Sequence, residues 1–492
     1  MNVLLIYPNF PDTFWSFKHA LQFVHKKAAM PPLGLLTVAA MLPSEWQKRL
    51  VDLNTTRLSE KDLKWADVAF ISAMVVQRSS AQQVIKRCKA AGLKMVAGGP
   101  LFTADYDQFE EVDHFVLNEA EITLPSFLAD LEHGTLQRVY ATEEFADIRQ
   151  TPAPLWNLVN MKSYATMNIQ FSRGCPYDCD FCNITTLFGH RPRVKTTRQV
   201  IDELDILYNL GWREQIFFVD DNFIGNKRIL KEELLPAMIK WRKRKIGMLF
   251  QTEVSINLAD DEELMQLMVD AGFITVFIGI ESPDEQSLAE CGKNHNRNRD
   301  LLEAVKRIQR AGMEVQGGFI IGFDNDVATI FKRQIEFIQK SGIVTAMVGM
   351  LQAPPGTKLY ARLAREGRLL GKSTGDNVDG STNIIPMMGI ELLQSGYKMM
   401  IRSLYEPKQY YERVKTFLSE YTPPKFTIPL GWKEISAFFK ANLRLGVVGK
   451  EAVYYWRLFF WTLFHRPRLF PMAITFSIYG YHFRRICATH IQ

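Results

Sequence analysis

Twice in succession this chain alternates short apolar runs with longer helical stretches, and that rhythm limits the folds open to it. The first series is Val3–Tyr7, Arg49–Leu53, Val68–Ser72, Lys94–Ala97 and His114–Leu117, separated by stretches such as Pro32–Leu42, Ser79–Ala91 and Ile122–Leu131. Runs of four or five β-branched and aliphatic residues between helices predict parallel strands of a doubly wound sheet, which takes ligands at the carboxyl ends of its strands. The second series is Asn168–Phe171, Gln215–Val219, Leu249–Thr252, Thr275–Ile278, Val315–Ile321 and Thr345–Leu351. Six strand–helix units predict a (β/α)6 partial barrel, again with its chemistry at the carboxyl ends. The fold class expected is therefore α/β. A Rossmann-like domain over 1–140, a proline-containing linker over 141–163 and a partial barrel over 164–365 lead into a helical extension over 366–424 and a last helical region over 425–492. At 492 residues the chain is too long for a single core, which agrees with this division.

Directly after the first strand of the second series comes Arg173-Gly-Cys-Pro-Tyr-Asp-Cys-Asp-Phe-Cys182. Cys175, Cys179 and Cys182 are spaced C-x3-C-x2-C, and soft thiolates this close on one loop suit an iron–sulfur cluster, zinc or copper(I). Structural zinc takes four ligands, and no fourth Cys lies nearby, although His190 is eight residues on. A chance grouping of buried cysteines is the remaining reading. Cys88, Cys291 and Cys487 are scattered, which fits a reducing interior better than a disulfide framework. Asn2–Tyr7 reads as a strand with no basic flank or cleavage site, so no signal peptide is expected and the setting is cytoplasmic.

The other strand ends of the second series carry polar groups in register. They are Asp220-Asp221-Asn222, then Glu253 and Ser255, then Gly279-Ile-Glu281-Ser282, then Gly317-Gly318 to Gly322, and Pro354–Tyr360 past the sixth; Arg191 and Arg193 follow the cysteine loop. One such acid alone is more often a helix N-cap, but recurrence at successive strand ends points to a ligand-binding mouth. In the first half the corresponding features are Tyr7-Pro8, Pro31–Leu35, Gly98-Gly99-Pro100 and Glu119-Ala-Glu121. A nucleotide-binding Rossmann domain is the rival for that half, yet no G-x-G-x-x-G follows its first strand.

Taken together these residues resemble the radical S-adenosylmethionine (SAM) family that carries a cobalamin (B12)-binding domain, the class B radical SAM methyltransferase type. The likeness covers roughly residues 1–420. Phe218–Asn226 and Leu351-Gln-Ala353 are similar to the hopanoid C-2 methylase type within it. The resemblance implies that Cys175, Cys179 and Cys182 hold a [4Fe–4S] cluster whose open iron takes SAM. It implies SAM contacts for Asp220, Asp221, Asn222, Glu253, Ser255, Glu281, Gly318, Gly322 and Arg193, and cobalamin contacts for Tyr7, Gly98, Gly99, Pro100 and Glu119. The D-x-H-x-x-G motif is absent, so no histidine is expected on cobalt; Asn118 stands where the family often has glycine. The activity implied is C-methylation of an unactivated carbon of a small-molecule or lipid (hopanoid-like) substrate, through a 5′-deoxyadenosyl radical and methylcobalamin. An electron donor of flavodoxin or ferredoxin type is implied as partner. A non-methylating rearrangement or cyclisation is the alternative within enzymes, and a cobalamin- or redox-responsive iron–sulfur binding protein the alternative outside them.

The net charge of +6 is concentrated at one end. Residues 425–492 hold ten Lys and Arg against two acids, with 16 of the 58 aromatic residues. Val453–Phe464 contains Arg457 and Leu469–Phe483 is only 15 residues, both short of the roughly 20 a spanning helix needs. Trp456, Trp461, Tyr479 and Tyr481 among Arg466, Arg468, Arg484 and Arg485 compose either an interfacial segment at the inner face of a membrane or helices capping the barrel. Nucleic acid is not expected, because the aromatics lie in apolar runs. Gly371–Gly389, with Asp376-Asn377-Val378-Asp379-Gly380, is a surface loop or a lid.

Overall fold

The computed structural model describes residues 1–245, 247–376, 378–425 and 431–490, without the side chain of His490. Asn377 of the expected mouth loop and residues 426–430 and 491–492 of the tail lie outside the described residues.

Both apolar series fold as all-parallel six-stranded sheets. The first comprises β1 (Asn2–Tyr7), β2 (Gln47–Asp52), β3 (Val68–Ser72), β4 (Lys94–Gly98), β5 (His114–Val116) and β6 (Val139–Tyr140), in the order β2-β1-β3-β4-β5-β6. The order reverses between β1 and β3, which opens a crevice at their carboxyl ends. Gln77 spans that crevice, its amide donating to the Pro8 carbonyl at 2.5 Å.

The second sheet starts with β7 (Met167–Ile169). A two-stranded antiparallel ribbon, β8 (Ser172–Arg173) with β9 (Arg193–Val194), pinches the base of the cysteine loop. The sheet continues through β10 (Ile216–Phe218), β11 (Phe250–Glu253), β12 (Phe273–Glu281), β13 (Glu314–Ile321) and β14 (Ala346–Met350), in unbroken sequence order. Without a reversal the connections all fall on one side, and the sheet curls into the partial barrel. Its helices are specified locally. Leu301–Ala311 buries Leu301, Ala304, Val305 and Ile308, one face at helical spacing, with Asp300 capping its start and Gly312 (φ +114°) its end.

The segment between β1 and the helix Leu33–Met41 crosses to the barrel and touches both of its edge strands. Asn168 of β7 donates to the Pro31 carbonyl at 3.1 Å, and the Trp15 indole donates to Met347 Sδ of β14 at 3.0 Å. It fills the seam an open barrel would otherwise leave.

The C-terminal helices stand at the amino end of the barrel. The Tyr421 hydroxyl donates to the Gly312 carbonyl (2.9 Å) and that of Tyr405 to Ala346 (2.6 Å); Arg413, fully buried, reaches the Leu404 and Val344 carbonyls. The last helix, Phe470–His490, is core. Phe476, Phe483 and Ile486 are buried, His482 Nε2 lies 2.9 Å from the Phe14 carbonyl, and Phe14 stacks on Phe483 at 4.2 Å. This divides the two readings of the tail. Arg466 binds the Ser419 and Tyr421 carbonyls and Arg484 pairs with Glu451 at 2.6 Å, so both belong to the cap and not to an interfacial face. No helix among the described residues is long and apolar enough to cross a membrane.

Candidate active site at the barrel mouth

The cysteine loop is held from several sides. Gly174 sits at φ +91°, and a side chain there would meet the Phe188, Gly189 and Arg191 carbonyls at about 3 Å. Asp220 accepts from the Phe171 and Ser172 amides, and Asp221 accepts from Gly174 N at 2.9 Å. Asp180 N donates to the Cys291 carbonyl at 3.0 Å, and Leu359 N to the Asp180 carbonyl at 2.9 Å. All six cysteines are free, and Cys175, Cys179 and Cys182 are half-buried at the carboxyl end of β7. Burial pushes the Cys179 and Cys182 thiols up to about 11, while Lys293 acts in the opposite direction.

Lys293 escapes any local reading of the sequence, since its partner Glu281 lies twelve residues earlier. Their ion pair measures 2.5 Å with both side chains nearly enclosed. Burial alone would lower the lysine, but Glu281 and the neighbouring Cys179 raise it overall. Glu281 adopts φ +63° where the register between β12 and β13 shifts, which turns its carboxylate back over Gly279. A side chain at Gly279 would fall 2.3 Å from Glu281 Oε1 and 2.6 Å from Lys293 Nζ.

A second unforeseen element is a run of polar groups that joins two strand ends to the loop. The Asn222 amide donates to Ser255 Oγ (3.2 Å), Ser255 to Asn257 Oδ1 (2.6 Å), and the Asn257 amide to the Tyr177 hydroxyl (2.9 Å). Tyr177 stacks on His295 at 3.7 Å, and burial beside Lys293 and Arg299 holds that imidazole down at about 3, hence neutral.

The mouth is rich in carboxyls. Burial raises Asp220 to about 7, Asp221 to about 6 and Glu253 to about 8, Glu253 being pushed further by the two aspartates. Asp220 and Asp221 are occupied by loop amides, whereas Glu253 has no hydrogen-bond or ion-pair partner among the described residues. Acceptors in excess suit a cationic ligand, and SAM carries an ammonium and a sulfonium.

The other expected site residues contact protein groups. Arg193 and Glu119 meet each other at 2.9 Å. Arg173 joins them at 2.8 Å and reaches Glu121 as well, with the Glu119 side chain only 1% exposed. These two, expected on SAM and on cobalamin, clamp the first domain to the base of the cysteine loop, because two guanidinium groups surround one buried carboxylate. At Gly318 a side chain would meet the Phe277 ring at 2.8 Å, and at Gly322 (φ +99°) the Leu393 methyls from 3.0 Å, so both are bare to admit protein groups. Gly98 and Gly99 behave similarly; a side chain would strike the Val116 carbonyl at 2.5 Å or Ser72 Oγ at 2.3 Å. Pro100 opens the helix Pro100–Asp105, and Asn118 supplies the left-handed turn (φ +61°) that glycine would otherwise make. Tyr7 ends β1 beside Asp52, which with burial raises its phenol; the Tyr164 hydroxyl donates to Asp52 at 2.8 Å.

Both sets of strand ends open onto common space. From the barrel side, Lys372 pairs with Asp105 at 2.5 Å, and Gly375 packs on Val75 and Val76 beside the β1/β3 crevice. The part of Gly371–Gly389 that is described therefore straps the two domains together at the mouth.

A parallel sheet with its crevice turned toward a six-stranded partial barrel, whose first loop presents three free thiols among strand-end carboxyls, defines a cobalamin-type radical SAM enzyme. The comparisons agree with that class. Residues 24–128 match the B12 binding domain, 169–350 the radical SAM superfamily, and 357–492 a domain of unknown function, DUF4070. An uncharacterized methyltransferase of Synechocystis sp. is 40% identical over 491 residues, 98% of this chain and 91% of that protein. Hopanoid C-2 methylase of Rhodopseudomonas palustris is 37% identical over 384 residues, 77% of this chain and 73% of that one. The chain belongs to this family, the B12-binding radical SAM methyltransferases. Among solved structures, OxsB with aqua-cobalamin and SAM bound shares the fold at a TM-score of 0.64 and 15% identity, covering 99% of this chain and 80% of that one. TsrM of Kitasatospora setae does so at 0.57 and 14%, covering 76% and 79%. The domain matches make SAM and cobalamin the cofactors, with a [4Fe–4S] cluster implied by the radical SAM fold.

Proposed function

We propose that this protein methylates an unactivated carbon of a lipid-like substrate, drawing electrons from a flavodoxin- or ferredoxin-type donor. The observation that carries the reading is the mouth itself, where three free cysteines, a partnerless Glu253 and the Glu281–Lys293 pair meet at successive strand ends. When bound, the cluster and SAM supply radical cleavage and cobalamin supplies the methyl group. The protein's part is placement. Cys175, Cys179 and Cys182 hold the cluster, and Lys293 offsets thiolate charge next to it. Glu253 and the free oxygen of Glu281 accept from the SAM ammonium. Asp220, Asp221, Asn222 and Ser255 act one step back, by fixing the cysteine loop and Tyr177. Tyr7 and the Gly98–Pro100 turn would border the cobalamin, which would supply the methyl group there, and no D-x-H-x-x-G motif offers it a histidine. In this reading the domains are 1–140 and 164–365, with helices beyond.

The substrate class rests on the 37% identity to a hopanoid methylase and on the apolar side chains Phe217, Phe277, Ile320 and Met347, half-exposed on alternating positions of the barrel strands. The test is anaerobic turnover of cofactor-loaded, reduced protein with lipid extract from cells lacking it. A lipid heavier by one methylene, formed together with 5′-deoxyadenosine, is expected. 5′-Deoxyadenosine with a lipid product of unaltered carbon count would replace methylation by rearrangement, and no SAM cleavage at all would overturn the reading.

A further inference from the structure

The tail splits into an inner helix that is core and an outer helical hairpin that is not covered. On the first arm, Trp432, Ile435, Phe439, Leu443 and Val447 recur at helical spacing and are exposed, Trp432 at 86%. On the second, Val453, Arg457, Phe460 and Phe464 recur at i, i+4, i+7 and i+11, with Phe464 at 75%. The arms lie side by side, Phe438 against Phe459 and the Trp456 indole on the Gly446 carbonyl at 2.9 Å, and the exposed Val447 and Val448 lead into their turn. Between the first arm and the seam segment is a cavity of about 320 Å³ walled by Gln22, Phe23, Lys440, Leu443, Arg444 and Val448. Two of its walls are cationic and none is acidic. Lys440 Nζ lies 2.7 Å from His25 Nε2 and donates weakly to the Gln22 and Phe23 carbonyls at 3.3 and 3.4 Å, and Arg444 reaches Gln22 Oε1 at 3.2 Å.

We propose that this hairpin docks on an anionic bilayer surface, its apolar stripes in the headgroup boundary and a lipid phosphate in the Lys440–Arg444 cavity. The charges select the occupant. The region's two acids are already engaged, Glu434 by the Gly431 amide and Glu451 by Arg484. Lys450, Arg457 and Arg468 are exposed and have no hydrogen-bond or ion-pair partner among the described residues. A second copy of this protein would set those cations against their own images, whereas anionic headgroups answer them. Arg457, inside an apolar stripe, can extend its head to phosphate while its stem stays buried. Stripes of this kind bind in the plane of an interface, as proteins without a spanning helix do. The hairpin stands at the amino end of the barrel, where Lys433 pairs with Glu214 just ahead of β10 at 2.5 Å. Docking therefore holds the protein by its back, with the barrel mouth on the side away from the bilayer. The inference concerns where the protein sits and stands whether or not the reaction is methylation.

The test is sedimentation of the full, cofactor-loaded protein with vesicles of phosphatidylcholine alone or mixed with phosphatidylglycerol at roughly two parts to one. Binding to the mixed vesicles only, weakened by salt, is expected. Lys450→Gln, Arg457→Gln and Arg468→Gln together touch no structural partner and weaken it on the order of a hundredfold, from about fivefold per charge. Phe460→Ser with Phe464→Ser removes it, and Lys440→Gln with Arg444→Gln lowers the preference for the anionic lipid by about 25-fold, from about fivefold per charge. Iron content, cobalamin content and melting temperature, unchanged in the triple glutamine and the phenylalanine variants and measured alongside for Lys440→Gln with Arg444→Gln, separate loss of docking from loss of fold. The proposal is overturned if wild type ignores both vesicles, if the triple glutamine variant binds like wild type, or if light scattering finds a dimer that Phe460→Ser dissolves. SAM cleavage, assayed separately, bears on the reaction and not on docking.

Discussion

The two sheets are both parallel and have the same strand number, yet present different chemistry at equivalent ends. The crevice of the first is bordered chiefly by Pro8, Gln77, Gly98 and Gly99, neutral groups, and its strand-end carboxylate Asp52 is taken up by Asn54 and the Tyr164 hydroxyl. The mouth of the second gathers Asp220, Asp221, Glu253 and Glu281 around one buried lysine. The contrast follows from what each end receives. A large, preassembled cofactor needs a shaped floor, whereas a metal cluster and a small cationic ligand need charge held in place by second contacts. Strand order reinforces the difference, since a reversal opens a flat crevice and unbroken order curls the ends into a ring.

The largest effect expected is on the charged side. Replacing Cys175, Cys179 and Cys182 together by alanine removes about four irons and the charge-transfer absorption, and with them all SAM cleavage, while cobalamin binding by the first domain persists. Iron analysis and visible spectra of anaerobically prepared protein check this. Cobalamin lost along with iron would show that the two ends are one cooperative site and erase the contrast.

Next in size is the buried pair. Lys293→Met leaves the Glu281 carboxylate without its cation and is expected to cost about 3–5 kcal/mol of stability. Adding Glu281→Gln recovers most of that loss. Denaturant midpoints of the iron-free forms measure both, and a Lys293→Met variant as stable as wild type would mean that the mouth is wetter than its burial indicates.

What could be read from the sequence, and what could not, divides along the same line. Local signals carried all eleven expected strands, because short β-branched runs between helices have few other solutions. β12 runs past the expected Thr275–Ile278 to Glu281, since pairing with β13 continues through a shifted register that Gly279 and Glu281 disguise as a loop. Strand-end acids were visible one by one, but their tasks were not. Asp220 serves backbone amides, and Glu119 is claimed by Arg173 and Arg193 from 54 and 74 residues away. Lys293, Asn257 and the seam segment left no trace in any short window, because each acts through a partner distant in sequence. The tail's composition was legible as basic and aromatic, yet its split into core helix and exposed hairpin depends on which face meets the barrel.

A smaller effect concerns the barrel's amino end, where no cofactor intrudes. Burial raises Glu314 of β13 to about 7 from an ordinary 4.5. A carboxyl that holds its proton more tightly when folded makes the fold lose stability as pH rises from about 4.5 to about 7, with no further loss above. The loss is on the order of 3 kcal/mol. The difference between wild type and Glu314→Gln, followed by denaturation across that range, should therefore grow with pH and then level off. A flat difference would show that the cap admits water to Glu314.

The smallest effects make the most direct comparison, because each sheet has a glycine in a tight place near its carboxyl end. In Gly98→Ala the new methyl meets the Val116 carbonyl at 2.5 Å, which is backbone of the neighbouring strand and cannot turn aside. β4 and β5 must separate, at a cost of about 1–3 kcal/mol as for other overpacked sites. In Gly279→Ala the methyl meets only the ends of Glu281 and Lys293, side chains that can swing away. That variant is expected to cost less than about 1 kcal/mol, yet it displaces the ion pair beside the cysteines. Thermal denaturation should rank Gly98→Ala as the less stable of the two. The cluster spectrum and SAM affinity should rank them the other way, Gly279→Ala altered and Gly98→Ala unchanged. If both rankings coincide, the glycine at the barrel mouth is only a packing device like its counterpart, and the Glu281–Lys293 pair has no special hold on the site.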